Sequence, residues 1–150
     1  VTGVQTCALP IYTEWAKDSQ LDFSRPDAEL RNIPLLHSKY WQIYTSERQR
    51  YMLVKQEYDA LKRAKTDWYT GRMSDEELKE RGWAPQGLRI VRQECDSYLA
   101  ADTDITTLSG KLEVQKMKLD FLEDAIKHIN NRNFVLRNYI EYLKFSNGSL

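Results

Sequence analysis

The chain has 150 residues with 22 basic and 22 acidic side chains, so it carries no net charge and has no whole-molecule attraction to phosphate. Any nucleic-acid site must then be a local patch. A hydrophobic fraction of 41% beside a charged fraction of 29% is ordinary for a soluble globular protein, and no apolar run approaches the roughly 20 residues of a membrane span.

The first eleven residues, VTGVQTCALPI, resemble the translation of a sequencing-adapter oligonucleotide, so residues 1–11 are expected to be non-native and are set aside. They lack the basic start of a signal peptide, and Pro10 interrupts an apolar stretch that is too short for one. Without them Cys95 stands alone, which excludes an intramolecular disulfide and points to a reducing, cytoplasmic setting. A single all-helical domain is expected over residues 12–150, favoured by few glycines and prolines.

In chain order, a short helix is expected around Trp15, and then a second one capped by Ser24, with Pro26 at an early position, ending before Pro34. From Pro34 to Tyr69 neither proline nor glycine intervenes, and Leu36, Tyr40, Tyr44, Tyr51, Val54, Tyr58, Leu61 and Trp68 recur at helical spacing. Glu47 and Lys65 fall on this stripe, which predicts a partly exposed seam. Gly71 is the expected stop. Residues 72–87 form a connector with about one helical turn after a Ser74 cap.

From Leu88 to Phe145 the pattern is heptad-like, in steps of three and four from Tyr98 through Ala101, Ile105, Leu108 and Leu112 to Leu143. So long a helix is expected to pack against the 34–70 helix as a hairpin and against other copies, giving an oligomeric bundle. Leu112, Leu119, Leu122, Ile126, Ile129, Leu136, Ile140 and Leu143 are the expected oligomerisation residues. Gln115 and Asn133, polar on the same seam, would help to set register or copy number. Gly110 and the Asn-Asn-Arg-Asn run at 130–133 are expected to loosen or kink it.

Catalytic signatures are missing. There is no phosphate-cradling glycine loop and no nucleophile elbow. His37 and His128 lie far apart, without a second histidine one helical turn away. Cys95 reads as a small buried side chain, and Asp120, Glu123 and Asp124 as a solvated face. No metal, cofactor or enzymatic activity is expected.

The end of the long helix, ALKRAKTDWYTGR, sets Lys62, Arg63, Lys65 and Arg72 against only Asp67, with Trp68 and Tyr69 among the cations and Lys55 two turns earlier. Cations bind phosphates, and aromatic faces stack on unpaired bases at about 1–3 kcal/mol each. These seven residues form the candidate site for single-stranded DNA. Arg63 is turned well away from Lys65 on the helix, so a strand would have to meet more than one face.

The stretch HSKYWQIYTSERQRYMLVKQEYDALKRAKTDWYTGR, residues 37–72, resembles the UvsY recombination mediators of tailed phages. In that family a long helix ends in basic, Ala, basic, any, Asp, aromatic, Tyr, any, Gly, occupied here by Arg63 to Gly71. The likeness extends to EWAKDSQLD near the start and LDFLEDAIKHINNRNFVLRNYIEYLKF near the end. It implies a non-catalytic mediator that binds single-stranded DNA and helps a RecA-like phage recombinase onto a strand coated by single-stranded-DNA-binding protein. It also implies a ring-like homo-oligomer, a hexamer or heptamer, in the cytoplasm of the infected host. By resemblance Arg63 and Lys65 match the basic pair associated with DNA binding, with Lys at a position where some members have Arg. The competing reading is a coiled-coil adaptor whose basic segment binds an acidic protein.

Overall fold

The computed structural model describes residues 9–148, and among them the architecture is all-helical. The helices are α1 (Leu9–Asp18), α2 (Pro26–Tyr69), α3 (Asp75–Arg81), α4 (Cys95–Ala101) and α5 (Thr103–Ser146). Residues 1–8 of the segment set aside above lie outside the described residues, whereas Leu9, Pro10 and Ile11 form the first turn of α1.

The break expected before Pro34 does not occur: α2 starts at Pro26 and runs through Pro34 without interruption. Proline there removes the N–H that would meet the Leu30 carbonyl. Pro34 and Leu30 are both exposed, so water can replace the missing donor, while buried Leu36 and Tyr40 hold the following turn in place. Ser24 does not cap this helix. Its hydroxyl donates to Asp22 Oδ1, and the Asp22 N–H donates to Glu29 Oε1 in the first turn.

The continuous heptad expected from Tyr98 is also interrupted. Asp102 has extended backbone between α4 and α5, and its Oδ1 accepts from the Asp104 and Ile105 N–H groups at 3.0 and 3.2 Å. Those are donors with no carbonyl to meet in the first turn of a helix, so Asp102 caps α5 and ends the earlier register. Tyr98 and Ala101 are exposed in consequence. Beyond it, α5 passes without interruption through Gly110 and through Asn130–Asn133.

The chain divides into two compact units. One holds the described residues of Val1–Gln49 and Lys116–Leu150, and the other is Arg50–Gln115.

In the first unit, the Tyr44 hydroxyl donates to Glu123 Oε1 at 2.8 Å, Lys118 pairs with Glu47 at 3.5 Å, and Arg132 with Glu29 at 3.4 Å. Partners that descend along α5 as they ascend along α2 make the two segments antiparallel. Between them Tyr40, Leu122, Ile129 and Leu136 are fully buried, joined by Leu119 and Ile126. The α1 helix covers this core: Trp15 meets the Tyr40 ring edge-on at 5.1 Å, and Asp18 accepts from both Lys39 and the Tyr40 hydroxyl. Glu47 therefore lies in a buried ion pair, where the sequence had suggested a wet seam.

Five of the eight expected oligomerisation residues, Leu119, Leu122, Ile126, Ile129 and Leu136, thus lie inside the subunit. Leu112, Ile140 and Leu143 are half-buried. Gln115 is buried, and Asn133 is exposed.

In the second unit, Cys95, Leu99 and Ile105 form a small core against Tyr58, Leu61 and Tyr69 of α2. Cys95 is the buried side chain expected of it. Gly71, with φ at +68°, ends α2; a Cβ there would lie 2.9 Å from Arg89 Cγ, so the glycine supplies both the left-handed turn and room for that side chain. Ser74 then caps α3 in a reciprocal box with Glu77, two turns of helix where about one was expected.

Candidate nucleic-acid interface

All seven candidate DNA-binding residues lie in the second unit, but they do not form one surface. Lys62 and Arg63 project from α2 into solvent and have no carboxylate partner among the described residues. Arg72 is exposed just past the helix, its Nε donating to the Thr70 hydroxyl at 3.2 Å. Lys55 is half-exposed and pairs with Asp59 one turn on, at 2.5 Å.

The remaining three turn inward. Lys65 is 7% exposed, and its ammonium lies 3.0 Å from Asp102 and 2.8 Å from Asp104. Trp83 and Trp68 flank it, with ring centroids 4.6 and 5.2 Å from the nitrogen. The Trp68 indole N–H donates to the Ala84 carbonyl at 2.8 Å, which fixes one edge of that ring. Tyr69 donates its hydroxyl to Asp102 Oδ2 at 2.8 Å, and its carbonyl accepts from the Ile90 N–H. The wet position expected for Lys65 is therefore a buried, doubly paired one.

Burial by itself would push the Lys65 pKa down, but its contacts with Asp104 and Asp102 outweigh this and hold it above the ordinary lysine value. Burial raises the Asp102 carboxyl, yet hydrogen bonds from Tyr69 and Lys65 bring it below the usual range. Tyr69 is pushed up to about 12, first by burial and then by its bond to the ionised Asp102. At neutral pH these shifts keep Lys65 an ammonium, Asp102 a carboxylate and Tyr69 the neutral phenol that donates to it.

Asp102, Asp104 and Trp83 escaped the sequence reading. The available signal was an Asp followed three residues later by an apolar side chain, with a second acid in the first turn, which is how a helix start is written. Trp83 also receives the Arg81 guanidinium at 5.1 Å from its ring. Of the seven candidates, Lys62, Arg63 and Arg72 are left as exposed cations near this end of α2, and exposed Arg89 lies against Gly71 beside them. Lys65, Trp68 and Tyr69 are instead held by contacts within the unit.

A family model described as "Recombination, repair and ssDNA binding protein UvsY" matches residues 14–149. The recombination protein uvsY of Enterobacteria phage T4 is 24% identical over 135 residues, covering 90% of this chain and 93% of that protein. A crystal structure of the bacteriophage T4 recombination mediator protein UvsY is similar with a TM-score of 0.79 and 22% identity, over 92% of this chain and 98% of that one. A second crystal form gives 0.78 and 23%, over 91% and 95%. The likeness to these structures establishes a shared fold.

Proposed function

The chain belongs to the UvsY family, and from that premise we propose that it is a recombination mediator, which binds single-stranded DNA and promotes loading of a RecA-like phage recombinase. The observation that carries this reading is the pair Lys62 and Arg63, exposed near the end of a helix with no carboxylate partner among the described residues, in a molecule of zero net charge. Exposed cations on a rigid helix suit the phosphates of a flexible strand, which can pass from one helix face to the next. Arg72 adds a further exposed cation just past the helix.

Few contacts per subunit make weak sites, so the proposal includes a homo-oligomeric ring that presents several sites to one strand. After the first contact each further one becomes intramolecular, and avidity exceeds the affinity of a single subunit. Since most of the α5 seam is buried within the subunit, self-association falls to half-buried Ile140 and Leu143 with exposed Phe134, Tyr142 and Phe145 beside them. No helix among the described residues is long and apolar enough to cross a membrane. The proposed place of action is the cytoplasm of the infected bacterium, with the recombinase and the strand-coating protein as partners. The protein acts by binding, without catalysis.

The test is assembly of a RecA-like phage recombinase on an oligonucleotide already coated with single-stranded-DNA-binding protein. Addition of this chain is expected to shorten the lag before filament growth. An unchanged lag at every protein ratio contradicts the mediator reading and favours the coiled-coil adaptor.

A further inference from the structure

We infer that Lys65 is a positioning residue and not a phosphate ligand: its ammonium, closed in by Asp102, Asp104 and two indole rings, clamps the start of α5 to the end of α2 and leaves phosphate contact to Lys62 and Arg63. The inference rests on the proposal that this helix end holds a DNA strand, but its structural half stands apart from DNA.

The charge around Lys65 disfavours a phosphate. One ammonium faces two carboxylates at 3.0 and 2.8 Å, so the site around Lys65 carries a net negative charge. A phosphate approaching it would meet repulsion, and it would have to displace Asp104 without burying an anion of its own beside Asp102. Steric access is restricted too. The Lys65 side chain is 9% exposed, and Trp83 and Trp68 lie on its remaining sides.

Lys65 is also tied into the start of α5. Asp102 uses Oδ1 to cap α5 through the Asp104 and Ile105 N–H groups, and Oδ2 to receive Tyr69 and Lys65 of α2. Lys65 therefore acts through Asp102 on the junction that folds residues 72–101 back onto α2. Arg63, two residues earlier, points roughly 160° away from Lys65 at 100° per residue, so the two cannot grip the same phosphate. A basic pair that looks equivalent in sequence is divided by the fold into one outward and one inward member.

The experiment uses the full chain and two substitutions, Lys65→Met alone and Lys65→Met with Asp102→Asn. Asparagine keeps the cap oxygen and can donate to Tyr69, while removing the charge that Lys65 neutralises. Melting temperature and the salt dependence of binding to a labelled oligothymidine are read for each. The single variant is expected to melt roughly 5 °C or more below the parent, because it leaves a buried carboxylate with no ammonium facing it. The double variant is expected to regain most of that loss and to bind within about threefold of the parent with the same salt slope.

A phosphate ligand would behave differently, since each lost contact on a single strand lowers the slope by about 0.7. Full recovery of melting temperature with a slope reduced by that amount overturns the inference, as does a Lys65→Met variant that melts like the parent. If the parent chain binds no oligothymidine, the DNA proposal fails by itself, and the clamp is still decided by the two melting temperatures.

Discussion

In the unit built around Tyr40 and Ile129, α2 and α5 meet over Leu119, Leu122, Ile126, Ile129 and Leu136, and the ion pairs of Glu47 with Lys118 and Glu29 with Arg132 join the helices beside that apolar layer. In the unit built around Lys65, the buried apolar set is only Cys95, Leu99 and Ile105, and a charged cluster occupies the junction between α2 and α5. The contrast shows what each unit depends on. Removing methyl groups should be felt most in the first, whereas in the second, with so small an apolar set, the charged cluster carries more of the junction.

The largest effect expected is from Ile129→Ala, which empties a fully buried position and should destabilise the first unit by about 2–5 kcal/mol. Urea unfolding followed through the aromatic signal of Trp15 measures it. A cost under 1 kcal/mol would mean that the apolar layer does not hold this unit together.

Next is Asp102→Ala, which removes the cap of α5 and one of the two carboxylates facing Lys65. A loss of about 2–3 kcal/mol is expected, confined to the second unit. Hydrogen exchange should show faster opening of residues 95–110 with little change around Ile129. Equal acceleration in both units would break the contrast.

The pH dependence sharpens it further. The Asp102 carboxyl has its folded pKa lowered from 3.8, so its contribution is present above about pH 4 and is lost as pH falls through the lowered value. Lys65 is raised above 10.5, and Tyr69 is raised from 10.0 to about 12, so their contribution is complete below about pH 10 and fades as pH rises through those folded values. The second unit should therefore show a stability plateau between about pH 4 and 10. Thermal melts over a pH series check this, and a transition near neutrality would contradict it.

The smallest effect is expected at the α3 cap, where Ser74→Ala should cost about 1 kcal/mol and leave both cores intact. Loss of protection limited to residues 75–82 in hydrogen exchange is the matching observation.

Features written locally were legible in the sequence. Gly71 stops α2 because the turn needs positive φ, and Ser74 with Glu77 is a self-contained cap. The all-helical class and the hairpin between α2 and α5 followed from spacing, which records the face a helix buries. Pro34 misled because the penalty for proline in a helix is local, whereas the burial of Leu36 and Tyr40 that outweighs it depends on distant segments such as α1, which meets Tyr40 through Trp15 and Asp18. Lys65 misled for a similar reason: its carboxylate partners lie more than thirty residues away at Asp102 and Asp104, and a helical wheel of α2 contains neither. The heptad pattern located the buried face of α5 correctly, but periodicity does not say whether that face meets its own chain or another copy.

The most direct test of the account is fluorescence-anisotropy titration of a labelled single-stranded oligonucleotide at two salt concentrations, with the full chain and its Lys62→Ala, Arg63→Ala double variant, the oligomeric mass of each being verified. The account expects salt-sensitive binding by the parent, and a variant of unchanged mass and melting temperature whose affinity and salt slope both fall. Binding by the variant with the parent's affinity and slope would contradict it.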